Sequence, residues 1–135
     1  MLFAYRLAGH RLHPQDAAEP LAAAAWVDLY RPQPKQAARV LAELGIEVPS
    51  LADMEEIEIS NRLYREGDSE VMTVILPGQT PGGEQVTGPV TFILSPTRLV
   101  TVRHHAPRPF ETFPTRAERS STGCLSPPRL LLGLV

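Results

Sequence analysis

Residues 89–105 read PVTFILSPTRLVTVRHH. Two runs of β-branched and aliphatic residues flank a break at Pro96-Thr97, and both are dense enough for central strands of a sheet. They predict a hairpin. Immediately upstream, NRLYRE (61–66), a GDS turn and EVMTVILP (70–77) predict another, with GQTPGGEQ (78–85) as the glycine- and proline-bearing loop between the two. Farther back, LFAYRLAG (2–9) partly alternates apolar and polar residues, and AWVDLY (25–30) reads as a short strand stopped by RPQP.

Helices fill the remaining intervals. QDAAEPLAAAA (15–25) is alanine-rich, and Pro20 restricts it to short helical pieces. PKQAARVLAELG (34–45) opens on a proline and closes on Gly45, with Ala38, Val40, Leu41 and Leu44 as its apolar side. PSLADMEEIE (49–58) predicts a second short helix. Ser50 is placed as its N-cap, with Asp53 three positions on in capping-box spacing. Leu51, Met54 and Ile57 share one face, while Asp53 and Glu56 project from the other. RPFETFPTRAERS (108–120) is expected to be partly helical. The last ten residues, SPPRLLLGLV, open a further helix at Ser126 and Pro127. That run has no C-cap before Val135, so the natural protein is expected to continue. An early strand, helices, adjacent strands and helices again give an α+β class with a mixed sheet carrying helices on its faces.

The chain has 135 residues, enough for one domain over positions 1–135 with a real core. Net charge is −2, which gives no global argument for nucleic acid or an anionic membrane surface. A single cysteine, Cys124, excludes an internal disulfide and a multi-cysteine zinc site. No apolar run approaches the roughly 20 residues that cross a bilayer, so the piece itself is expected to be soluble. Charge is unevenly spread. Between Glu47 and Glu70 there are eight acids against Arg62 and Arg65, whereas from Thr97 onward there are six arginines against Glu111 and Glu118.

His104 and His105, adjacent at a strand end, point to opposite faces and cannot easily chelate one ion; they are expected as partly exposed strand-end histidines. His10 and His13 flank a turn with no third ligand in view, and Cys124 has no spaced partner that marks a nucleophile. GQTPGG lacks the lysine and hydroxyl residue of a phosphate loop. These patterns predict no enzyme. The acidic helix remains. Asp53 closes a capping box in one reading, with Glu55, Glu56 and Glu58 keeping the surface soluble. In the other, Asp53 and Glu56, i and i+3 on one face, hold a hard cation such as Mg²⁺, which takes few carboxylates and keeps several waters. Both readings can hold at once for Asp53. A third carboxylate from a neighbouring chain would complete the site and join the chains.

AWVDLYRP, LGIEVPSLADMEEIEISNRLYREGD, GPVTFILSPTRLVTVRHHAPRPFETF and SPPRLLLGLV, in that order from about Ala24 to Val135, resemble the N-terminal cytoplasmic domain of the CorA family of divalent-cation transporters. The resemblance implies an α/β/α sandwich around a mixed, largely antiparallel central sheet. It implies a subunit of a homopentamer of identical chains, on the cytoplasmic side of the bacterial inner membrane. A stalk helix and two transmembrane helices, with a Gly-Met-Asn signature at the pore, would follow in the natural protein. It also implies transport of Mg²⁺, or of Co²⁺, Ni²⁺ or Zn²⁺ in relatives. In that family, regulatory Mg²⁺ between neighbouring domains holds the pore closed, and the resemblance implies Asp53 in the place of one ligand, with Glu55 and Glu56 as weaker additions. The position before it, often acidic in relatives, is Ala52 here. A half-site in an isolated piece should bind Mg²⁺ feebly. The alternatives are a domain of a ZntB-like zinc transporter and, in another class, a stand-alone α+β interaction domain whose acidic helix is a solvated face.

Overall fold

The structure is a computed structural model that describes residues 1–9, 11–56 and 63–119, together with 128, 131 and 134. Seven strands form one sheet: β1 (Leu2–Ala8), β2 (Arg11–Pro14), β3 (Trp26–Tyr30), β4 (Leu63–Glu66), β5 (Ser69–Gln79), β6 (Gln85–Leu94) and β7 (Leu99–Arg103). Among the described residues, the helices with continuous bounds are α1 (Pro34–Leu44), α2 (Leu51–Glu56) and α3 (Arg108–Arg119), with a 3₁₀ turn at Leu21–Ala23; positions 128, 131 and 134 are also helical. The strand order is β2-β1-β3-β7-β6-β5-β4. Only the β3–β7 pair is parallel, with Trp26 opposite Leu99 and Tyr30 opposite Arg103; the other neighbours are antiparallel.

The period-2 alternation of the central strands builds the layers. From β3, β6 and β7, one face contributes Trp26, Val90, Phe92 and Leu99 to a core completed by Phe110 and Phe113 of α3 and by Leu134. The opposite face contributes Val27, Leu29, Ile93, Val100 and Val102, which meet Val40 of α1 and Met54 of α2. Helices on both faces of a mixed, mainly antiparallel sheet make the α/β/α sandwich expected above. Trp26 anchors the first core, stacked on Tyr5 at 4.8 Å and 6.2 Å from both Phe110 and Phe113. Truncating an aromatic this enclosed costs about 3–5 kcal/mol.

Local chemistry explains most boundaries. Pro34 opens α1, and Gly45 ends it at φ 68°, a left-handed turn that a residue with Cβ resists. The Gly45 N–H closes the helix on the Leu41 carbonyl at 2.9 Å. The apolar side of α1 is narrower than its sequence suggests: Val40 is buried, but Leu41 is 52% exposed. Three other expectations change. His13 lies within β2 rather than beside a turn, its Nε2 3.0 Å from the Ala8 carbonyl. The predicted loop over 78–85 is shorter than expected, covering 80–84, since β5 runs to Gln79 and β6 starts at Gln85. The last hairpin strand stops at Arg103 instead of running through His105. His10, Glu58, Cys124, Ser126 and Pro127 lie outside the described residues. Among the described residues, no helix is long and apolar enough to cross a membrane.

Candidate functional site on the acidic helix

Helix α2 is held at its start by a reciprocal pair. The Ser50 N–H donates to Asp53 Oδ2 at 3.0 Å, and the Asp53 N–H donates to Ser50 Oγ at 3.1 Å. This is the capping box read from the sequence. The Ser50 N–H, with the Ser50 side chain adding to it, holds the Asp53 carboxyl below its ordinary value, so it is a carboxylate near neutrality. Met54 sinks into the core at 2% exposure and pins the helix, while Asp53, Glu55 and Glu56 are exposed. Of the apolar face expected for this helix, Met54 is buried, Leu51 is 36% exposed and Ile57 lies outside the described residues.

The acids of α2 serve different surroundings. Asp53 borders an open groove of ≈ 1290 Å³ between the α1–α2 connection and the sheet. Its floor includes Thr73 and Thr91, whose hydroxyls lie 2.8 Å apart. Its rim carries Glu47, Glu66 and Asp68 against Arg98, whose Nη1 donates to the Leu21 carbonyl at 3.0 Å. Glu55 instead borders a smaller hollow of ≈ 560 Å³ beside His104 and the β5–β6 hairpin. Among the described residues, no group of three His, Cys, Asp or Glu side chains is gathered closely enough to hold a metal ion. What α2 offers is exposed carboxylate oxygens, suited to a hydrated hard cation whose remaining protein ligands come from elsewhere. Asp53 Oδ2 is engaged by the cap.

The two histidines separate, as their alternation requires, but they are not equally exposed. His105 is a correction to the expected strand-end pair: it is only 5% exposed, its Nε2 2.8 Å from the Leu76 carbonyl and its ring over Gly88. His104 is half-buried, and its Nε2 has no hydrogen-bond partner among the described residues. Burial lowers its pKa first and Arg31 next, with His105 adding a little, while Glu55 pulls the other way.

Sequence reasoning missed a polar cluster inside the sandwich. Asp28, in the middle of β3, faces Thr101 and Arg103 of β7 because the two strands run parallel in register. Arg103 Nη2 donates to Asp28 Oδ2 at 2.9 Å, its Nε reaches both carboxylate oxygens at 3.2 Å, and its Nη1 donates to the His105 carbonyl at 3.0 Å. The Thr101 hydroxyl donates to Asp28 Oδ1 at 2.8 Å and accepts from Trp26 Nε1 at 3.0 Å. The only sequence trace was one acid and one base inside otherwise apolar strands, 75 residues apart.

No protein-family model matches the chain. The chain is 29% identical over 123 residues to the magnesium transport protein CorA of Escherichia coli K12, an alignment that takes in 90% of this chain and 39% of that protein. It therefore spans well under half the length of the curated relatives it matches. Among solved structures, the soluble domain of CorA from Methanocaldococcus jannaschii superposes with a TM-score of 0.60 at 12% identity, covering 89% of this chain and 47% of the other. The full-length CmaX protein superposes with a TM-score of 0.71 at 15% identity, covering 98% and 43% respectively. At such identities the superpositions establish the shared fold.

Proposed function

We propose, on the premise that this chain is a homologue of the CorA magnesium transport proteins, that it is the cytoplasmic regulatory domain of a CorA-like divalent-cation transporter. The observation that carries the reading is the alignment to a magnesium transport protein along 90% of the chain, and the α/β/α fold agrees with it. In this reading positions 1–135 form one domain on the cytoplasmic side of the inner membrane, and the natural protein continues into a stalk and membrane helices. Identical subunits, five in the assembly, place their α2 helices near a neighbour.

Asp53 is the cation-facing residue of this proposal, with Glu55 and Glu56 as weaker contributors. Two features support it: the carboxyl is exposed, and Ser50 favours its ionised form. One or two carboxylates on a single surface hold Mg²⁺ weakly, which suits a sensor of an abundant ion. Facing carboxylates on adjacent subunits repel in the absence of the ion, so Mg²⁺ favours the closed arrangement by its differential affinity for it. The groups chosen are hard oxygen donors, which fits Mg²⁺ better than Zn²⁺. Reconstituting the natural protein in liposomes and following Mg²⁺ and Zn²⁺ entry with ion-selective dyes tests the reading. Mg²⁺ entry is expected. Zn²⁺ entry alone would transfer the domain to a zinc transporter, and entry of neither would leave a stand-alone interaction domain.

A further inference from the structure

Arg103 is enclosed on every side that matters for the orientation of α3. Its guanidinium lies 4.2 Å from the centre of the Tyr30 ring and 4.8 Å from the centre of the Phe110 ring, so one ring of β3 and one of α3 hold it between them. In its own plane it is tied to Asp28 and to the His105 carbonyl, five residues before Phe110. Both charges are nearly sealed, Arg103 at 5% and Asp28 at 2% exposure. Apolar residues of similar volume would fill such a site at equal or better stability, because a buried pair recovers its desolvation cost only with excellent geometry. Stability alone therefore does not account for a charged seat. Direction does: a planar fork with fixed donors and two aromatic faces accepts one placement of its partners, whereas an aliphatic surface lets a helix slide.

We propose that Arg103 is a positioning residue that locks α3 in one orientation on the sheet, through its bidentate grip on Asp28 and its stacking under Phe110. The lock works in series. Asp28 fixes the guanidinium plane, that plane fixes Phe110 in the first turn of α3, and the His105 carbonyl fixes the segment between β7 and the helix. The setting of α3 then fixes the direction taken by the chain beyond it. This inference stands independently of any cation bound on α2.

The test compares hydrogen exchange at α3 amides with exchange at β6 and β7 amides of the same molecule. Three variants are used: Arg103→Lys, the apolar pair Asp28→Leu with Arg103→Met, and Phe110→Leu. Arg103→Lys keeps the charge and loses the fork, and the apolar pair removes both charges together. The expected result is a melting temperature near that of the parent with α3 exchange accelerated about tenfold relative to the sheet. Unchanged α3 protection in a stably folded variant would overturn the proposal, as would α3 and sheet amides accelerating in equal proportion. Phe110→Leu leaves the ion pair intact and decides the matter if the apolar pair does not fold: it too must loosen α3 selectively, and a silent result overturns the lock.

Discussion

Gly78 and Gly88 lie under the segment that leaves β7, and a methyl group added at each should have different consequences. A Cβ at Gly78 would sit 2.6 Å from the Ala106 carbonyl oxygen, 2.7 Å from the Ala106 carbonyl carbon and 2.7 Å from His105 Cδ2. That is roughly 1 Å inside a comfortable contact, and two of the three atoms are backbone. Relief requires the segment to rise from the hairpin, which stretches the paired bonds Gln79 N–H to Ala106 O (3.1 Å) and Ala106 N–H to Gln79 O (2.8 Å). Overpacking of this kind costs about 1–3 kcal/mol, and each bond contributes about 1 kcal/mol. Replacing glycine by alanine in an extended segment returns about 0.4–1 kcal/mol through the unfolded chain. The net loss for Gly78→Ala is then about 2–4 kcal/mol, or a fall in melting temperature of roughly 7–13 °C for a domain of this size. At Gly88 the nearest atoms to the added Cβ belong to the His105 ring, at 3.1 Å for Nδ1, and a ring can tilt. Gly88→Ala should cost less than about 1.5 kcal/mol. Calorimetry of both variants, with exchange at the Ala106 amide, gives the comparison. A Gly78→Ala protein as stable as Gly88→Ala, or one whose Ala106 amide stays protected, would refute the reasoning.

Other substitutions probe the polar interior and the acidic helix. Arg103→Met alone leaves the Asp28 carboxylate buried with one hydroxyl donor, and chemical denaturation should show a loss of about 3–5 kcal/mol that Asp28→Leu largely repairs. His104 is held below 6.5 in the folded protein. As pH falls below that value the unfolded chain takes up the proton first, so stability should decline until the folded value is passed. His104→Gln should flatten that decline in urea titrations carried down from pH 6.5. Asp53 is held below 3.8 in the fold, so its contribution is complete above that value and is lost as pH falls through the folded value. Asp53→Asn keeps a capping oxygen and should abolish this acid-side component of the titration while leaving the neutral-pH helix content unchanged by circular dichroism.

Much of this architecture was legible because its signals are local. Pro34 and Gly45 bracket α1, Ser50 and Asp53 start α2, and the aliphatic runs of β6 and β7 announce central strands. What escaped depends on partners far along the chain. Arg11–Pro14 is too short to signal a strand and exists by pairing with β1. Gly78 was read as loop, yet it lies in the β5–β6 hairpin beside Gly88, where Ile75 faces Pro89 and Leu76 faces Gly88. The glycines there admit His105, which is why a histidine expected at the surface is buried. The Asp28–Arg103 pair required knowing that β3 and β7 are parallel neighbours. For the acidic helix, the sequence led correctly to the cap. Of the carboxylates it grouped, Asp53 and Glu55 border two different cavities, because they project to different sides of a short helix.

The proposed role turns on whether Asp53 reports internal Mg²⁺ to a pore. In the natural protein reconstituted with high Mg²⁺ inside the vesicles, the parent should stay closed and Asp53→Asn should admit Mg²⁺ down its gradient. Equal closure of both proteins over the same range of internal Mg²⁺ would contradict the account.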